Sequence, residues 1–166
     1  MHRLYRATVC ALIVGSTNAT IPLAQAPSPD KAIPAAIEQL FAAMSRGDTA
    51  AVRRSFLPGG RVVVMPSPDS LTERVAFLAL DDFVRFAGQN APNTWIERLW
   101  NPAVRSTGSL GYICFDYDVY RGSSFSHCGI NSVQMQQSPS GWKIVSMAFT
   151  SRRVGCDARE PPPPTR

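Results

Sequence analysis

The stretch LGYICFDYDVYRGSSFSHCGINSVQMQ, residues 110–136, decides the architecture. Its first half alternates Ile113, Phe115, Tyr117 and Val119 with Tyr112, Cys114, Asp116, Asp118 and Tyr120, the period of two that a strand with two different faces requires. Gly122-Ser123 suits a two-residue turn whose first central residue has positive φ, so the second half should return antiparallel beside the first. With that turn, Asp118 stands opposite His127, Asp116 opposite Gly129, Cys114 opposite Asn131 and Tyr120 opposite Phe125. One face then gathers Tyr112, Cys114, Asp116, Asp118, Tyr120, His127 and Asn131. A bulge or a three-residue loop would slip one strand and move His127 to the other set.

Outward from this hairpin, period-two patterning continues over 94–104 and 142–151, the latter entered through the turn Ser138-Pro139-Ser140-Gly141. Strands over 94–104, 110–121, 124–136 and 142–151 should form an antiparallel meander. Upstream, Ile33, Ile37, Leu40, Phe41 and Met44 recur at helical spacing, with Pro34 near the start and Gly47 as a stop. Asp48 is placed to cap a short second helix over 49–54. After the breaker Pro58-Gly59-Gly60, the β-branched run 61–65 reads as a first strand closed by Pro66 and Pro68. Phe83, Phe86 and Ala87 share one side of a further helix over 81–87, with Asp81 as its cap, while 75–80 fits strand or helix. Helices first and long strands afterwards make an α+β domain.

The N-terminus has the form of an export leader: Arg3 and Arg6 precede the apolar run 7–14, and Ala24-Gln25-Ala26 is a small-residue cleavage site. Pro22, Ser16, Thr17 and Asn18 interrupt the run, which argues against a retained anchor, and no other apolar stretch reaches the roughly 18 residues that a membrane span needs. The expected organisation is a leader over 1–26, one domain over 27–156, and a Pro-rich disordered tail over 157–166 carrying Pro161 to Pro164. A periplasmic or secreted location follows, with no membrane attachment after cleavage. The formal charge of +5 falls to +3 without Arg3 and Arg6, and the remaining arginines are scattered, so nucleic acid is not an expected partner.

Cys114, Cys128 and Cys156 remain once Cys10 leaves with the leader. An oxidising compartment permits one disulfide. Cys114 and Cys128 should point to opposite faces, which leaves Cys128 with Cys156 as the better pair; the alternative is a buried Cys128 and a free Cys156 thiol.

The order helix, Arg46-Gly47-Asp48 bend, short helix, strand, helix and long meander ending in Gly141-Trp142-Lys143-Ile144 resembles the nuclear transport factor 2-like superfamily, over residues 33–153. Phe125-Ser126-His127-Cys128-Gly129 and the ending Ser151-Arg152-Arg153 with Gly155-Cys156 resemble a bacterial branch of it without a known reaction. The resemblance implies a strongly curved antiparallel sheet wrapped around two to three N-terminal helices as a cone (the cystatin-like fold), a pocket between the concave face and those helices, and commonly a homodimer. Its members range from isomerases, dehydratases and SnoaL-like polyketide cyclases to transport adaptors, so fold alone leaves function open.

For chemistry, His127 is the sole histidine after leader removal, and the cysteines include no close pair, so no metal site is expected. Neither a glycine-rich phosphate loop nor a dinucleotide fingerprint is present, and no cofactor is expected. Opposed side chains make Asp118 and His127 a candidate acid–base pair, with Asp116 as an alternative carboxylate and Asn131 or Tyr120 as donor to a developing oxyanion. The competing reading of Asp118 and His127 is an exposed cross-strand ion pair, or a pair that satisfy each other at the pocket rim. Trp95, Tyr112, Tyr120 and Asn131 are candidate ligand contacts, although aromatics of this kind also fill cores and interfaces. Two functions follow: an exported module that binds a small hydrophobic or aromatic molecule, or a cofactor-independent lyase or isomerase using His127 with Asp118 or Asp116; a purely structural dimer with a filled pocket is a third.

Overall fold

The computed structural model describes residues 27–67, 74–89 and 92–157. The leader and the Pro-rich tail beyond Asp157 lie outside the described residues.

The first helix, α1 (Pro29–Ser45), buries Ile33, Ile37 and Leu40 completely. Each such side chain contributes roughly 1.5–3 kcal/mol by leaving water. Pro34 sits in its second turn, near enough to the start that little of the hydrogen-bond ladder is lost. Gly47, at φ 65°, turns the chain out of α1. Asp48 then caps α2 (Thr49–Arg54), its Oδ1 accepting from the Ala51 amide at 2.9 Å.

The strand β1 (Phe56–Val64) starts earlier than its β-branched run because Pro58-Gly59-Gly60 is no loop; it is an irregularity inside the strand, with Gly59 at φ 79°. The ambiguity over 75–80 resolves into both: β2 (Ala76–Leu78) is a strand that pairs antiparallel with β1, and Leu80 opens the next helix. The third helix, α3 (Leu80–Gly88), is capped at Ala79 with no side-chain hydrogen bond. Asp81 is therefore not a cap: it lies in the first turn and pairs with Arg53 of α2 at 2.6 Å.

β3 (Trp95–Thr107), β4 (Leu110–Arg121), β5 (Ser124–Ser138) and β6 (Gly141–Phe149) form the expected meander. β1 joins β6 in parallel, so the curved, unclosed sheet has six strands in the order β2-β1-β6-β5-β4-β3. Its ladder shifts register between Trp100 and Ala103, between Val119 and Tyr120, and between Gln134 and Met135. Such irregularities bend strands and increase twist, which wraps the sheet around α1 and α3. Phe41 of α1 meets Phe115 of β4 edge-on at 6.0 Å, and Phe56 of β1 meets Phe83 of α3 at 5.7 Å.

The shift near Ser126 corrects the expected hairpin register. Arg121–Ser124 and Tyr120–Phe125 pair as the two-residue turn dictates, but beyond the bulge Val119 faces His127 and Asp118 faces Cys128. His127 and Asn131 thereby join Phe115, Tyr117 and Val119 on the concave face. Cys114 and Cys128 come to the same outer face rather than opposite ones, their ladder partners separated by four residues along β4.

Candidate functional site

A cavity of about 180 Å³ opens between the concave face and the helices. α1 supplies Phe41 and Met44, and α3 supplies Phe83 and Phe86, because these residues recur on the helix faces turned to the sheet. Trp95 and Glu97 come from β3, Tyr117 from β4, His127 from β5, and Met147 and Phe149 from β6. The walls are almost wholly aromatic or thioether, with one carboxyl and one imidazole among them.

Glu97 reaches this face because β3 alternates Trp95, Glu97 and Leu99 inward with Ile96, Arg98 and Trp100 outward. Its carboxyl accepts from Trp95 Nε1 at 3.3 Å and from the side chain of Asn131. Burial among apolar groups raises its pKa from 4.5 to about 8, against the lowering effect of those two donors, with Asp118 adding a smaller upward push. Glu97 is thus mostly a neutral acid at pH 7. Asn131 is buried, and its Oδ1 has no hydrogen-bond partner among the described residues.

His127 is half-buried, its ring 5.8 Å from both Trp95 and Tyr117, with Nδ1 3.0 Å from Ser126 Oγ. Burial lowers its pKa below 6.5, and the positive charges of Arg121 and Arg153 lower it further. The Tyr117 hydroxyl donates to the Thr150 carbonyl at 2.7 Å and is held protonated, chiefly by burial and then by Glu97. The cavity therefore holds a proton on a carboxylic acid and a neutral imidazole, two groups able to exchange protons with a bound molecule.

The other expected site residues divide by face. Trp95 lines the cavity, and Asn131 supports Glu97 from beside it. Asp118 is not the partner of His127: it points to the outer face, where Arg98 grips it through Nε at 2.8 Å and Nη2 at 2.6 Å. That guanidinium also stacks on Trp100 at 5.0 Å and on Tyr120 at 4.8 Å, so Tyr120 belongs to this outer cluster. Asp116 accepts from Asn101 Nδ2 at 2.7 Å, again outside the cone. Tyr112 is exposed on the outer face, its hydroxyl accepting from Ser132 Oγ at 3.4 Å. Cys128 and Cys156 are joined by a disulfide with their Cα atoms 6.0 Å apart, and Cys114 is free. Among the described residues no cluster of potential metal ligands occurs and no helix is long and apolar enough to cross a membrane.

Glu97 escaped the reading of the sequence. The available signal was an acid on the apolar side of a strand, between Trp95 and Leu99, where a charged group meets little solvent.

No protein-family model matches the chain, and no curated protein matches it in sequence. Solved structures do. An NTF2-like protein with a cystatin-like fold from Novosphingobium aromaticivorans superposes with a TM-score of 0.59 at 14% identity, over 78% of this chain and 84% of its own. The fold is the NTF2-like cone. An NTF2-like protein of unknown function from Silicibacter pomeroyi gives 0.55 at 18% identity, over 73% of this chain and 93% of its own. A candidate dehydratase of the NTF2-like family from Streptomyces avermitilis gives 0.58 at 15% identity, over 76% and 97%. Similarity at this level extends to the NTF2-like fold alone, so function has to be argued from the cavity.

Proposed function

We propose that this chain is an exported small-molecule-binding domain whose ligand occupies the NTF2-like cone. The observation that carries the reading is an apolar cavity of about 180 Å³ into which a single neutral carboxyl and a single neutral imidazole project. Concave, largely apolar sites with few polar groups are the usual form of small-molecule pockets. The leader-like N-terminus and the Cys128–Cys156 bond support export to an oxidising compartment. Leu110, Tyr112 and Ile130, exposed on the outer sheet face, support a homodimer through that face, which sedimentation would test.

A ligand bound only by the folded state raises the melting temperature by mass action. Small apolar compounds should do so for the native chain and fail for Met147→Trp, which fills the cavity. Equal shifts in both proteins would refute the assignment.

A second reading has its own support. Glu97 and His127, displaced in opposite directions from their ordinary pKa values within one cavity, suit proton transfer in a lyase or isomerase that needs no cofactor. Proton exchange or water loss from a bound compound should then vanish in Glu97→Gln and in His127→Ala and persist in Tyr112→Phe, which alters only the outer face. Turnover surviving both cavity variants would remove this reading.

A further inference from the structure

We propose that the ligand is an aromatic carboxylate of single-ring size, its ring inside the apolar chamber and its carboxylate at the mouth between His127, Arg121 and Arg153. This rests on the pocket assignment above and adds the charge and size of the occupant.

Size comes from the cavity itself. About 180 Å³ is close to the roughly 150 Å³ that holds a benzene ring in an apolar protein interior. Edge-on pairs such as Phe86 with Trp95 at 5.4 Å and Tyr117 with Phe149 at 6.4 Å present ring edges and faces that suit a further aromatic ring.

Charge comes from what surrounds the mouth. Arg121 ends β4 opposite Trp95, and its guanidinium carbon lies 4.9 Å from the Trp95 ring, itself 5.8 Å from His127. Arg153 belongs to the segment that follows β6. The chain beyond β6 runs antiparallel to β5 and exchanges two backbone hydrogen bonds between Cys128 and Arg152, at 3.0 and 2.9 Å, so Arg153 follows at the level of His127. The Cys128–Cys156 bond anchors that segment, and Gly129 lets it approach, since a Cβ there would collide with the Thr150 carbonyl. Both arginines act on the charge of His127, which places them within electrostatic reach of anything beside the ring.

Aromatic walls also suit an organic cation. Here the Trp95 ring already carries Arg121, and Asp118 and Asp116 are engaged on the outer sheet face by Arg98 and Asn101. Glu97, the acid in the cavity lining, is largely uncharged at neutral pH and so neither attracts a cation strongly nor repels an anion. The charges that act on His127 are positive.

The test compares three probes of similar size by calorimetry at pH 7: benzoate, benzyl alcohol and benzyltrimethylammonium. Benzoate should bind at least about fivefold more tightly than the alcohol, the order that two screened charge pairs give. The preference should shrink as salt is raised and disappear in Arg121→Gln/Arg153→Gln, with the alcohol's affinity unchanged. Binding of benzoate should also take up protons, because an adjacent anion raises the pKa of His127. Alcohol or ammonium binding as tightly as benzoate, or a benzoate preference that survives the double variant, would overturn the anionic ligand while leaving the pocket standing. If none of the three binds, the pocket assignment falls with it.

Discussion

At the scale of single residues, two carboxylates on neighbouring strands have opposite fates because strand alternation sends them to opposite faces. Glu97 points inward and loses water; Asp118 points outward and gains Arg98. For Glu97 the folded pKa of about 8 lies above the unfolded 4.5, so the folded state holds a proton that the unfolded state has released, and stability falls as pH rises between those values. His127, with its folded pKa below 6.5, acts in the opposite sense under pH 6.5, where stability is lost as pH falls. Between pH 6.5 and 8 the Glu97 contribution dominates, and the native chain should lose about 1.5 kcal/mol, the slope starting near 1.4 kcal/mol per pH unit and halving as pH 8 is reached. Glu97→Gln should flatten that fall in denaturant titrations; parallel curves for the two proteins would contradict the buried acid. Asp118→Ala takes from the partly exposed Arg98 guanidinium its two charge-assisted hydrogen bonds and should destabilise by about 2 kcal/mol, yet leave binding in the cavity untouched. A loss of binding with little loss of stability would return Asp118 to the site.

At the scale of elements, most of the secondary structure was legible because the patterns were local. The apolar face of α1, the Asp48 cap and the Gly122 turn each depend on a few adjacent residues, and each lies where the sequence indicates. The bulge at Ser126 was not legible, since nothing in Ser124-Phe125-Ser126 distinguishes a regular hairpin from a shifted one. A shift of one residue reverses which side chains face inward. That single step moved His127 into the cone and separated it from Asp118. The Pro58-Gly59-Gly60 stretch misled for a related reason: its conformational demands are met by an irregular strand as well as by a loop. The segment after β6 is held by backbone pairing with Cys128 and by the disulfide, whose 28-residue separation in sequence implies about 3–4 kcal/mol by chain entropy. Reduction should lower the midpoint of unfolding accordingly and speed hydrogen exchange at Arg152. An unchanged midpoint with intact folding would show that the bond constrains nothing.

At the scale of the whole molecule, the long bulged strands curl the sheet around α1 and α3, and the incomplete closure between them leaves the cavity. The fold was legible from the order of its elements; the chemistry inside it was only partly so. Trp95, His127 and Asn131 could be singled out by residue type, but the acid that matters sits on β3, far in sequence from the hairpin that drew attention. The most direct test is heteronuclear NMR of the labelled protein titrated with benzoate. Saturable shifts are expected at the Trp95 indole N–H, the Met44 and Met147 methyl groups and the His127 ring, with Tyr112 and Ile130 on the outer face unmoved. Shifts confined to the outer face, or none at saturating ligand, would contradict binding in the cavity.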